Sequence, residues 1–102
     1  MGAVRVEWTE LAIAQLDEAM AYIAADRPTV ALEWLEMLLG EVERLADFPD
    51  SGRVVPEAAR DEIREIVVSP YRLVYRRDRD AVFVTMVLHE RQNIEPADIV
   101  GG

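Results

Sequence analysis

One group of side chains in this sequence has the types and spacing to act on a charged partner: Arg53, Arg64, Arg72, Arg76, His89 and Arg91. Arg presents a planar fork of donors that suits phosphate or carboxylate. His ordinarily titrates near neutral pH, so His89 is a candidate proton-transfer group or a strand-end residue bonded to backbone. Side chains on a strand alternate between faces, which groups Arg64 with Ile66 and Val68, and Arg72 with Val74 and Arg76. If those two sides coincide, the Arg and His side chains converge on an anion site, for RNA phosphates or for a partner's carboxylates. The competing arrangement spends the same Arg residues on surface ion pairs with Asp61, Glu62, Glu65 or Glu90.

Other chemistries find little in the sequence. Ser51 and Ser69 fall in turns, and His89 is the only histidine, so a Ser-His-Asp arrangement has no support. Cys is absent, which removes disulfides, thiolate nucleophiles and Cys-ligated zinc together. Gly52 stands alone and makes no phosphate-binding loop. Carboxylates are plentiful, but on the outer faces of helices they read as solvated surface. No cofactor and no metal site is expected, with carboxylate-only Mg²⁺ binding the one form left open.

The positioning elements come from a chain of 102 residues, 51% of them hydrophobic, the size and composition of a single domain spanning 1–102. Twenty acidic against eleven basic residues give a net charge of −9, and every basic residue is Arg. That charge repels a free polyanion at long range and argues against direct nucleic-acid binding. Its distribution is uneven, with Glu and Asp crowding the first half and most Arg falling from Arg53 to Arg91. The opening Met-Gly-Ala-Val-Arg-Val-Glu-Trp is not patterned as a signal peptide. No apolar run approaches the ~20 residues that span a bilayer. A soluble, cytoplasmic protein is expected, with no membrane partner.

Val4 to Trp8 alternates as a strand with one buried face. Thr9 is placed to cap a helix over Glu10 to Ala25, whose stripe is Ile13, Leu16, Met20 and Ile23. Asp26-Arg27-Pro28 breaks that helix and Pro28 starts a second, running to about Asp47. Ala31, Leu35, Leu38, Val42 and Leu45 form its stripe, widened by Leu32, Trp34 and Leu39, which predicts burial against two surfaces. Trp34 is therefore either a core residue or an anchor for a partner. Phe48 to Arg53 is a loop, and Val54 to Asp61 is ambiguous, since Pro56 argues against a central strand. Ile63–Val68, Tyr71–Arg77 and Ala81–Leu88 are strands joined by short turns, an antiparallel meander. The tail over 93–102 is polar and expected to dock loosely or fray. The order β-α-α-β-β-β predicts an α+β fold, with a helical hairpin on one face of a mostly antiparallel four-stranded sheet and the other face less covered.

Val6-Glu7-Trp8-Thr9, Leu16-Asp17-Glu18, Tyr22-Ile23-Ala24, Phe48 to Arg53, Val55-Pro56-Glu57, Ile63-Arg64-Glu65, Pro70 to Arg76 and Val87 to Arg91 carry a resemblance when taken in order. Together they resemble the ParE branch of the ParE/RelE toxin superfamily, also called plasmid-stabilisation proteins. The resemblance covers roughly Val4 to Arg91 and implies a toxin of a type II toxin–antitoxin module, silenced by a cognate ParD-like antitoxin. ParE-like toxins act on DNA gyrase, whereas RelE-like ones cut messenger RNA on the ribosome with a basic set that includes Lys. This chain has no Lys, so the resemblance favours gyrase inhibition by binding, without catalysis. Arg64, Arg72, His89 and Arg91 would be the catalytic candidates only in a ribonuclease. Trp34, Leu38, Arg53, Arg64, Arg72 and Arg76 are the candidate partner contacts. An inactive homologue that retains only antitoxin binding is the remaining alternative.

Overall fold

The structure is a computed structural model that describes residues 3–95. Of the expected 93–102 tail, residues 96–102 lie outside those described. The element order is β1 (Arg5–Trp8), α1 (Glu10–Asp26), α2 (Pro28–Arg44), β2 (Arg53–Val54), β3 (Ile63–Val68), β4 (Tyr71–Arg77) and β5 (Ala81–His89). The sheet order is β1-β5-β4-β3-β2, with β1 parallel to β5 and every other pair antiparallel. The α+β class and the helical hairpin agree with the sequence pattern. The sheet has five strands instead of four, because Arg53 and Val54 pair with Glu65 and Arg64. Pro56 has no N–H to donate, so the pairing stops there and β2 stays a two-residue edge.

Thr9 starts α1 as its type predicts. Its hydroxyl accepts from the Ala12 N–H at 3.2 Å, while its own N–H donates to Val84 O at 3.0 Å, tying the helix start to β5. On the face of α1 turned to the sheet Ala12 and Ala19 are fully covered, and Leu16, Met20 and Ile23 of the expected stripe pack partly buried against the same core. Ile13, the remaining residue of that stripe, is 49% exposed. Alanines let α1 sit close to β5, and Gln15 Oε1 accepts from the Val87 N–H at 2.8 Å where β1 no longer covers that strand. In α2, Pro28 occupies the first turn, and Ala31, Trp34, Leu38 and Val42 are buried. Trp34, Leu38 and Val42 join Leu45, Leu73, Tyr75, Val82 and Val84 in the main core between hairpin and sheet. Burying each such large side chain contributes about 1.5–3 kcal/mol.

A second apolar cluster fills the opposite sheet face. Val55, Ile63, Val74, Met86, Leu88 and Ile94 pack there, so the chain around Val55–Ala58 and Ile94 covers part of the face expected to be open. Ile94 is 4% exposed, which corrects the expectation of a loosely docked tail at that residue. Among the described residues, no helix is long and apolar enough to cross a membrane.

Candidate functional site

Register decides where the Arg residues go. Directly opposed residues of an antiparallel pair point to the same face. Arg64 lies opposite Tyr75, while Arg72 lies opposite Val67 on β3 and Leu88 on β5. Arg64 therefore shares the helix-side face with Tyr75, and Arg72 shares the other face with Val74 and Leu88. The convergence that strand alternation allowed does not occur. His89, opposite Tyr71, lies on the helix side, separated by the sheet from Arg72.

Arg72 is 6% exposed. Its Nη1 donates to Glu65 Oε1 at 2.9 Å, and its Nη2 to Glu57 Oε2 at 2.7 Å and to the Gln92 carbonyl at 2.5 Å. Its Nε–H has no acceptor among the described residues. Glu65 sits beneath with a side chain fully shielded from water, and its second oxygen accepts from Arg53 Nε at 2.5 Å. Arg53 itself is two-thirds exposed on β2. Glu57 is delivered by a turn in which Ala58 and Ala59 N–H groups both donate to Val55 O and Ala59 adopts a φ of 50°. The hydrogen bond from Arg72 is the largest influence on Glu57 and holds its carboxyl down at about 2. The same Glu57 accepts from the Ile94 N–H at 3.4 Å, so one ion-pair network joins β4, β3, β2, the Val55–Ala59 turn and the chain after β5.

Arg64 is saturated in a different way. Its guanidinium donates to the carbonyls of Asp61, Asp50 and Gly52 and to the Asp61 carboxylate. It anchors the loop before β2. Tyr75, opposite it, receives the Gly52 N–H at 2.9 Å and donates to Pro49 O at 2.8 Å. Arg76 stacks over the Phe83 ring at 4.9 Å on the outer face. Arg91 follows β5 and is exposed, its backbone N–H donating to His89 Nδ1 at 3.2 Å.

Trp34 and Leu38, read from sequence as partner contacts, are 4% and 1% exposed and belong to the main core. The Trp34 Nε1–H donates to Val68 O at 2.9 Å, which fixes the indole. Trp34 stacks at a tilt on Tyr71, and Tyr71 meets His89 edge-on. Burial, reinforced by Tyr22 nearby, pushes the Tyr71 hydroxyl above its ordinary range. Glu57 was invisible as a partner for Arg72, because the turn that carries it has no periodic pattern. Chemically, the basic set divides into a neutralised ion-pair network on one face, a loop anchor on the other, and an aromatic run ending in His89.

A family model described as the ParE toxin of the type II toxin–antitoxin system parDE matches residues 6–94. The protein Y4kP of Sinorhizobium fredii (strain NBRC 101917 / NGR234), whose name describes a proposed toxin, is 37% identical over 94 residues, 90% of this chain and 94% of that protein. Among solved structures, a chain of the chromosomal ParDE TA system from P. aeruginosa superposes with a TM-score of 0.70 at 18% identity. That match covers 85% of this chain and 96% of the other, a likeness of fold.

Proposed function

Since the chain belongs to the ParE toxin family of type II toxin–antitoxin systems, we propose that it arrests growth by binding and inhibiting DNA gyrase, and that a cognate ParD-like antitoxin neutralises it in the cytoplasm. Residues 1–102 act as one toxin unit in this reading. The supporting observation is the state of two of the Arg side chains, Arg64 and Arg72. A ribonuclease must offer free cationic donors to a phosphate as charge develops on it. Here Arg72 is occupied by two carboxylates and Arg64 by carbonyls, on opposite faces of the sheet. A surface with a net charge of −9 also disfavours approach to RNA. Inhibition by protein–protein contact asks for neither free donors nor a positive field.

The chain is to be induced with and without the product of its neighbouring gene. Growth should stop in the second case only. Purified gyrase should then lose supercoiling activity on addition of the chain, while primer extension finds mRNA ends unchanged. Ribosome-dependent mRNA cleavage with intact supercoiling would replace this reading by the RelE-like one. Unaffected growth would leave an inactive homologue.

A further inference from the structure

Two pockets meet at one end of the helical hairpin. The first is apolar, lined by Ile23, Val30, Trp34, Met37 and Pro70 among others. The second is more polar, with Gln15, Glu18, Tyr71, His89 and Gln92 in its wall. Tyr22, 72% exposed on α1, lines both, so the two pockets adjoin as two parts of one surface. The floor is fixed in place. Trp34 and Tyr71 lie 5.3 Å apart between ring centres, Tyr71 and His89 5.6 Å apart, and the indole is locked on Val68 O.

The charges on this cleft are lopsided. Glu18, Asp26 and Glu33 stand on its rim against one Arg27, which already lies 3.8 Å from Asp26. Aromatic faces backed by carboxylates suit a cationic side chain, whose stem packs on the rings while its head meets the acid. A second copy of the chain would bring a charge of −9 of its own, and nucleic acid would be repelled in the same way.

We propose that this cleft docks a basic segment of a partner protein, with an apolar anchor in the first pocket and an Arg or Lys against Glu18 in the second. The inference rests on the reading that a protein partner neutralises the chain, and it names the surface and the chemistry of that contact.

The probe is the purified product of the neighbouring gene, titrated calorimetrically into the wild-type chain and into Tyr22→Ala and Glu18→Lys. Both positions are exposed, so unchanged circular dichroism and melting are required of each variant. Each substitution should weaken binding by about tenfold or more, as for an anchor at an interface centre. Raising salt should weaken wild-type binding, and the Glu18→Lys complex should respond less. Wild-type affinity in both variants would overturn the cleft as the docking site while leaving the antitoxin reading intact. Tighter binding to Glu18→Lys would overturn the basic character of the partner segment. No binding even to the wild-type chain would remove both proposals.

Discussion

Replacing Arg72 by Met keeps a long apolar stem on β4 and removes the charge that neutralises Glu65. The Glu65 carboxylate has no contact with water, and its remaining counter-charge would be Arg53, whose own side chain is 67% exposed. Breaking a buried pair by deleting one partner costs about 3–5 kcal/mol. At no less than roughly 4 °C per kcal/mol for a chain of this size, the melting temperature falls by about 12 °C or more. The double variant Arg72→Met with Glu65→Leu removes both buried charges, and with them the Arg72 Nε–H that has no acceptor among the described residues. It should return to within about 2 kcal/mol of wild type, because an apolar replacement of a buried pair is close to neutral and the part-exposed Glu57 loses only about 1 kcal/mol with Arg72. Urea titration followed by circular dichroism measures both. A single variant melting within about 4 °C of wild type, the equivalent of about 1 kcal/mol, would refute the assignment of Arg72 as the structural counter-charge of Glu65. Growth arrest supplies a second reading: the stable double variant should still be toxic, since the guanidinium is spent on the fold.

Acid should loosen the same network. Glu57 titrates at about 2 in the folded chain against 4.5 ordinarily. Its contribution is therefore complete above pH 4.5 and is lost as pH falls from there toward 2, about 1 kcal/mol once exposure of Glu57 to water is allowed for. Glu57→Gln should flatten that part of a melting-temperature profile against pH. A Cβ at Gly52 would come within 2.6 Å of the Tyr75 hydroxyl and 2.7 Å of Glu65 O, so Gly52→Ala should destabilise by about 1–3 kcal/mol in chemical denaturation. Thr9→Ala, which removes the cap of α1, should cost about 1 kcal/mol by the same measurement.

Much of the fold was legible because both helices and the four longer strands carry clear periods, with caps and turn residues at their ends. β2 was not, since two residues beside Pro56 have no period to read. The burial of Ile94 escaped for a related reason: it rests on a face that only tertiary packing reveals. The division of the Arg residues was within reach of the sequence. A two-residue link at Ser69-Pro70 makes Val68 and Tyr71 opposite, so Arg64, four before Val68, must meet Tyr75, four after Tyr71. Arg72 then falls on the other face. Glu57 could not be found this way, because a turn positions it and no pattern fixes where a turn points its side chains.

β1 reaches its place only by lying parallel to β5, and the Thr9 hydroxyl bonds Val84 O across a sequence separation of 75 residues. During synthesis, at roughly 5–20 residues per second, the first strand waits about 4–15 s for its neighbour to be made. β5 is also the strand on which β4 pairs, so nothing translated earlier can substitute for it. A ribosome that stalls before Ala81 releases a chain with two helices, an unpartnered first strand and a sheet of β2, β3 and β4 alone. The strand order thus makes the last strand the one that joins the first strand to the rest of the sheet.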